Sequence, residues 1–366
     1  AGCGSGRQPP SKSRHRRRMA FRCKRWTVSN IQPVAFVIWI MVVVWSVYVR
    51  FHLLELFQVN IPLLGLRFDA ARDHAMLARA HWHAAVSQFL TAMMLICFFR
   101  AMFTDPGSVP DSPEWRIDHA MEAALRLRRG PVEKVSSGHA SPVRECKRSG
   151  EPRLCKWCDR LKPDRSHHCR VCKSCVLRMD HHCPWIANCV GQKNHKWFFL
   201  FVLYSLAACW FVQVTMFESV AKAIGFGPVH VETGHRKRYA LLFAATLAGL
   251  VSFLLTMFAG LHCYLIATGT TTIEHCEKHT RPPNTVISYS HGLWEDLAAV
   301  LGPYFLLWLV TVSPSVSDGL YFEVSDASKA VGEPLLAEHK QLDEAPAPSA
   351  KPDSPVTNGK DTPKSK

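Results

Sequence analysis

Four long apolar runs constrain the fold of this chain more than any other feature. Pro33 to Val49, Ala84 to Phe103, Trp197 to Phe217 and Tyr239 to Ala267 approach or exceed the roughly 20 residues that a bilayer core requires. One such run can be a buried helix of a soluble protein, but few soluble folds bury four of them between polar loops. The first is the shortest, with Trp39, Trp45 and Tyr48 suited to interfacial positions. The expected fold is therefore an all-α polytopic membrane protein with four transmembrane helices.

Basic residues orient these spans. Arg14, Arg16, Arg17, Arg18, Arg22, Lys24 and Arg25 precede the first, and the loop from Asp105 to Lys196 carries about eighteen basic residues, against about four between Arg50 and Trp82. Both termini and the central loop are expected in the cytosol. Arg236, Lys237 and Arg238 run against this scheme, yet one short basic loop rarely overturns the bias of the others. The formal charge of +15 is mostly this asymmetry, and anionic lipid explains it without a nucleic-acid partner. The polar first segment has no apolar signal-peptide core, so the first span would act as the signal itself. Ala1 is not a methionine, and the residues ahead of Met19 read as an extension or an alternative start.

The central loop concentrates the chemistry. Between Cys155 and Cys189 lie Cys158, Cys169, Cys172, Cys175 and Cys183, with His167, His168, His181 and His182 among them. In a reducing cytosolic loop such clusters read as metal ligands or reactive thiols, not disulfides. Two tetrahedral zinc ions need about eight ligands, which six cysteines and two histidines supply while leaving one cysteine over. Seven cysteines and one histidine would serve as well, giving a purely structural module. Spacing alone does not choose between His181 and His182 as ligand. A spare cysteine in Asp180-His181-His182-Cys183 is a candidate nucleophile.

The pattern Cys155-x2-Cys158-x9-His168-Cys169-x2-Cys172-x2-Cys175-x4-Asp180-His181-His182-Cys183-x5-Cys189-x4-Asn194-x3-Phe198 resembles the DHHC cysteine-rich domain of the protein S-acyltransferases, or palmitoyltransferases. Asp105-Pro106-Gly107 after the second span and Thr271-Thr272-Ile273-Glu274 after the fourth match further family signatures. The resemblance runs from the first span to about Gly302. It implies two structural Zn2+ ions, one held by Cys155, Cys158, His168 and Cys175 and the other by Cys169, Cys172, His182 and Cys189. The metal would supply folding free energy that so short a loop lacks, on the order of 10 kcal/mol per ion. It further implies a long-chain acyl-CoA, such as palmitoyl-CoA, as donor and cysteine-bearing client proteins at the membrane face as acceptors.

On that reading Cys183 attacks the thioester, His181 takes the thiol proton, and Asp180 orients the His181 ring. Thr271, Thr272 and Glu274 are expected to support the Asp180–His181 pair, and Lys162, Arg165 and His167 to meet the phosphates of CoA. Aligning Gly292 and Gly302 with the family's glycines puts Asp296 where the family has asparagine, a departure that removes amide donors. Ala207 and Ala208 in the third span could leave room for an acyl chain. A membrane-anchored zinc module without catalysis is the alternative function; a RING-type ligase lacks the Asp-His-His-Cys run, and a transporter would place more polar groups inside its spans.

The organisation expected is a basic N-terminal segment (1–32), helices 1 and 2 (33–104), a linker (105–150), the zinc domain (151–196), helices 3 and 4 (197–268), a cytosolic region with an interfacial amphipathic helix (269–323) and a disordered tail (324–366). The linker is expected to hold a short helix around Trp115 to Arg129. No internal repeat is visible. Endoplasmic reticulum, Golgi and plasma membrane all suit four spans.

Overall fold

The computed structural model describes residues 28–57, 74–116, 143–145, 147, 152–226, 234–280, 287–312 and 317–325. Most of the basic N-terminal segment, most of the linker helix expected after Trp115, and the tail beyond Ser325 lie outside them.

Four long helices carry the apolar runs. Helix α1 (Val28–Tyr48) continues through a π-helical turn, Val49–Leu53, to Leu56; α2 is His74–Phe103, α3 His195–Ala223 and α4 His235–Ala267. Their spans of 27, 30, 29 and 33 residues exceed the apolar runs because each helix extends through a polar end. At 1.5 Å per residue they are longer than a hydrocarbon core of roughly 30 Å, so these polar turns can reach water or headgroups. The basic residues Arg236, Lys237 and Arg238 fall in the first turns of α4, where Lys237 pairs with Glu55 of the first helix. Much of the apolar surface points outward: Phe89, Trp210, Val214, Phe217, Phe253 and Leu254 are all exposed, as expected of side chains facing lipid tails.

Between α2 and α3 lie three small antiparallel hairpins: β1 (Leu154–Cys155) with β2 (Arg160–Leu161), β3 (His167–Cys169) with β4 (Ser174–Val176), and β5 (His181–Cys183) with β6 (Asn188–Val190). Helix α5 (Thr272–Thr280) follows α4 directly, and α6 (Leu293–Leu301) leads to a short 3-10 turn, Phe305–Leu307. Leu293, Trp294, Tyr304, Phe305 and Leu306 are exposed on this segment, the pattern of a helix lying in an interface. Lys196, at the start of α3, ties it down by donating to the carbonyls of Leu307 (2.8 Å) and Val312 (2.6 Å).

The C-terminus of α2, the N-terminus of α3 and the C-terminus of α4 all meet the hairpins. Their junction is an apolar cluster that joins Val34, Phe98, Ala101, Met102, Trp197, Phe198 and Ala259 of the helices to Cys183, Ile186 and Val190. The third hairpin therefore packs into the end of the bundle instead of standing off it. Asn188 makes the joint polar as well as apolar, its amide donating to the carbonyls of Ala101 (3.1 Å), Met102 (3.2 Å) and Thr104 (2.9 Å), the last turn of α2.

Candidate active site and metal clusters

Each hairpin from β3 onward sets a histidine directly opposite a cysteine: His168 faces Cys175, and His182 faces Cys189. Turns bring a CxxC pair to each. In the first cluster Sγ of Cys155 and Cys158 lie 3.3 Å from His168 Nδ1 and that of Cys175 3.8 Å. In the second, Cys169, Cys172 and Cys189 lie 3.6, 3.5 and 3.5 Å from His182 Nδ1. With Zn–S near 2.3 Å and Zn–N near 2.0 Å, the edge of a tetrahedron is about 3.6 Å, so both donor sets fit a zinc-sized ion. The described cysteines form no disulfides. Both groups can hold a metal, and they are the two sets the family resemblance implies.

The clusters are one motif used twice. Cys155, Cys158, His168 and Cys175 recur fourteen residues later as Cys169, Cys172, His182 and Cys189, a repeat the sequence reading did not register. Backbone repeats with it: Asp159 (φ 50°) and Lys173 (φ 54°), just after each CxxC, are left-handed. A third copy would begin at Cys183, and Ala187 is left-handed at the matching place (φ 46°). Its remaining ligand positions hold Ile186, Lys196 and Leu203. Cys183 is thus the first position of a third unit whose other metal ligands are missing.

Strand geometry separates the adjacent histidines. Successive side chains of β5 point to opposite faces, so His182 turns to the metal cluster while His181 and Cys183 share the other face. His181 Nδ1 donates to Asp180 Oδ2 at 2.6 Å, and the ring lies beside Cys183 on the same face of β5. Burial disfavours the charged ring, but the Asp180 bond and the neighbouring Cys183 sulfur raise its pKa to about 9. Asp180 is fully buried, which favours its neutral acid, yet the His181 bond, nearby histidines and Thr272 hold it well below the usual carboxylate range. The pair is therefore a charged imidazole ring beside a carboxylate, next to the buried Cys183 sulfur.

Residues after α4 complete this arrangement. Thr272 donates to Asp180 twice, from its amide to Oδ1 and its hydroxyl to Oδ2, each at 2.8 Å. Thr271 and Glu274 form a capping box at the start of α5: the Glu274 amide donates to Thr271 Oγ1 (3.2 Å) and the Thr271 amide to Glu274 Oε2 (2.9 Å). Glu274 also accepts two bonds from Arg165, at 2.6 and 2.8 Å. Burial works against the Glu274 carboxylate and Arg165 more than offsets it, leaving its pKa below the ordinary value.

Arg165 corrects one expectation. It is 4% exposed, donates to Glu274 and to the Gly269 carbonyl (2.7 Å), and lies between the Tyr289 and Phe322 rings. Its donors are committed to holding the Thr271–Glu274 turn, so it does not face a solvent-borne phosphate. Lys162 and His167 are only partly buried. Asp296, at the family's asparagine position, is matched by donors: the Ser290 hydroxyl (2.5 Å) and the His291 amide (3.3 Å). Gly269 (φ +62°) lets it sit there, since a Cβ would come 2.7 Å from Asp296 Oδ1.

Asp105-Pro106-Gly107 fastens the domain from the other side. Asp105 accepts from the Gly107 amide (2.8 Å), and the Gly107 carbonyl accepts from Leu177 (3.0 Å). Gly107 has φ +103°, open to glycine and strained for other residues. Sequence reasoning missed the roles of Asn188, Lys196, His195 and His262. For the last three the signal was position, a polar side chain near the end of an apolar helix, whereas Asn188 lies in β6 and gave none.

A cysteine set apart from two metal-type clusters, beside a His–Asp pair at the end of a four-helix membrane bundle, is the arrangement of a membrane-embedded thiol enzyme. Residues 148–279 match the family model described as DHHC palmitoyltransferase. The chain is 35% identical over 254 residues to "Probable protein S-acyltransferase 16" of Arabidopsis thaliana, spanning 64% of this chain and 79% of the relative. It is 32% identical to the human "Palmitoyltransferase ZDHHC2" over 241 residues, 64% of this chain and 63% of the relative. With "Palmitoyltransferase pfa3" of Neurospora crassa it shares 35% identity over 54% of its length and 29% of the relative's. The chain belongs to the DHHC protein S-acyltransferase family, whose members are enzymes.

Proposed function

We propose that this chain transfers a long-chain fatty acyl group, palmitoyl or similar, from acyl-CoA to cysteines of client proteins through a thioester on Cys183. The observation that carries the reading is the position of Cys183: beside His181, outside both metal clusters, and within the apolar cluster at the bundle end. In the first half-reaction the Cys183 thiolate attacks the acyl carbonyl, the carbon–sulfur bond to CoA breaks, and the departing thiolate takes the proton held on His181. In the second, a client thiol gives its proton to His181 and attacks the acyl-enzyme, releasing Cys183 as thiolate. Asp180 keeps the His181 proton on Nδ1 and stabilises the imidazolium; it takes no proton itself.

A Zn2+ ion in each cluster supplies rigidity, and the residues that would hold them are the eight donors named above. Lys162 and His167 remain candidates for the CoA phosphates. The acyl chain leaves Cys183 into the bundle. A lipid-facing pocket of about 270 Å³ between α3 and α4, lined by Trp210, Gln213, Gly249, Ser252, Phe253 and Thr256, extends from about 9 to about 20 Å along α4 from His262 by helical rise and suits its far end. Ala207 and Ala208 lie outside that lining. The active face and both termini are assigned to the cytosol from the basic loops, in an endomembrane (Golgi or endoplasmic reticulum) or the plasma membrane. The same reading keeps the domain organisation expected from the sequence, with the interfacial helix at α6.

The test is a fatty acyl label on purified protein supplied with palmitoyl-CoA. The expected result is a hydroxylamine-sensitive label that disappears in Cys183→Ser while two zinc equivalents remain. Loss of one zinc equivalent in that variant would instead make Cys183 a ligand and sink the proposal.

A further inference from the structure

Two buried histidines near the dyad have no assigned role. His195 opens α3 and His262 lies near the end of α4; they are 3% and 2% exposed. Neither ring nitrogen of His195 has a hydrogen-bond partner, nor has Nδ1 of His262. Buried polar groups are almost always paired, so two orphaned imidazoles side by side demand an explanation. Each offers a nitrogen that lies, with an oxygen of Asp180, in a group whose members are all within 4.8 Å of one another.

Two occupants suit such a group. A first-row metal ion bound at about 2.0 to 2.2 Å brings its ligands to roughly 3.4 Å, as in the two cysteine clusters. A water bonded at about 2.8 Å to tetrahedrally placed partners holds them roughly 4.6 Å apart, and a buried water typically needs two to four such partners. Here none of the three pairs makes a direct hydrogen bond. The acceptor count of Asp180 also favours the water. A carboxylate has about four acceptor sites, and Asp180 uses three, for His181, the Thr272 amide and the Thr272 hydroxyl. One remains for a donor from the α3–α4 side.

We infer that His195 and His262 bind one water with Asp180 and act as positioning residues for the dyad. They would hold Asp180 from the membrane-helix side as Thr272 holds it from the α5 side. The His262 ring also packs near that of His181, with centroids 5.9 Å apart, and against Phe198 and Phe258 at 5.3 and 4.5 Å. The bundle and the zinc domain would thus meet on one carboxylate, and a shift of α3 or α4 would reach His181 through it. This inference rests on the assignment of Asp180 and His181 to catalysis.

The bland alternative is that both rings merely fill space, and phenylalanine separates the two. His195→Phe and His262→Phe keep an aromatic ring and remove the polar atoms. The full chain in detergent or nanodiscs, loaded with palmitoyl-CoA, would be followed for the rate of Cys183 acylation, its dependence on donor concentration, and zinc content. The expected result is a rate between about tenfold and a hundredfold lower at saturating donor, an unchanged KM, two zinc equivalents, and partial rescue by His262→Gln. Wild-type rates in both phenylalanine variants would reduce the histidines to packing and overturn the inference. A third zinc equivalent in the parent chain, lost in these variants, would overturn it in favour of a metal site. If the phenylalanine and glutamine variants all lost zinc, the role would be structural and the inference would fall. His181→Ala, run in parallel, isolates the underlying assignment: an active His181→Ala removes the dyad itself, whereas a dead one beside active phenylalanine variants removes only the water-linked pair.

Discussion

The two metal clusters have the same donors, the same spacing and the same hairpin register, yet they occupy different surroundings. The first packs against Val109, Trp115, Leu161 and Leu177, side chains of the linker and the domain's own outer layer. The second packs with Val176, Met179 and Ile273, the last from the turn that holds Asp180. Its histidine is flanked in β5 by His181 and Cys183. Identical donor sets thus have different neighbours: the outer one lies against the linker and the domain's own side chains, the inner one on the strand that carries His181 and Cys183. On the function proposed above, a metal in the inner set would fix the backbone one residue from Cys183, the support that catalytic geometry needs.

The largest expected effect comes from emptying one cluster at a time. His182→Ala should remove one zinc equivalent and abolish acylation of Cys183, because β5 loses its anchor. His168→Ala should also remove one equivalent but leave measurable acyl-enzyme. Each loses metal binding worth on the order of 10 kcal/mol to its hairpin. Zinc analysis with the palmitoyl-CoA label checks both, and equal loss of label would erase the distinction between the clusters.

Next comes the tie between the domain and α5. Glu274→Ala leaves the Arg165 guanidinium buried without its two carboxylate bonds, which typically costs about 3–5 kcal/mol. Thermal unfolding should show that loss, with the inner cluster releasing zinc to a chelator sooner than the outer one. Thr272→Val is milder. It removes the hydroxyl bond to Asp180 and keeps the amide bond, for about 1–3 kcal/mol, roughly a tenfold loss of acylation rate with both zinc equivalents retained. A variant as active as the parent would show that Asp180 needs no support from α5.

How much of this was legible in the sequence depends on what each feature is made of. The spans were, because hydropathy is additive along a run. Their ends were not: His74 to His83 mixes apolar residues with three histidines and an arginine, His235 to Arg238 is basic, and both continue their helices beyond the apolar runs, with Arg79 paired to Glu218 and Lys237 to Glu55. The ligand sets followed from spacing together with the family resemblance. The choice between His181 and His182 was readable from strand alternation once β5 was recognised as a strand, and three-residue strands give no periodic signal. Arg165 looked like a phosphate contact because charge is visible in sequence and burial is not. The fourteen-residue repeat is written in the spacing, but interleaving hid it, since each unit borrows its fourth ligand from within the next.

The smallest effect tests that repeat directly. Asp159, Lys173 and Ala187 occupy equivalent left-handed positions, although only the first two follow a metal-type CxxC. A non-glycine residue in that conformation costs about 1–2 kcal/mol, and glycine relieves it while losing roughly 0.5–1 kcal/mol to the greater freedom of the unfolded chain. Asp159→Gly, Lys173→Gly and Ala187→Gly should each stabilise by less than about 1 kcal/mol, and by similar amounts, in thermal unfolding. Resistance to a chelator should separate them: Asp159→Gly should slow zinc release slightly from the outer cluster and Ala187→Gly, in the turn between His182 and Cys189, from the inner one, whereas Lys173→Gly, which follows Cys172 and lies in the turn between His168 and Cys175, should touch both. If Ala187→Gly left inner-cluster release unchanged, the third turn would play no part in holding His182 opposite Cys189.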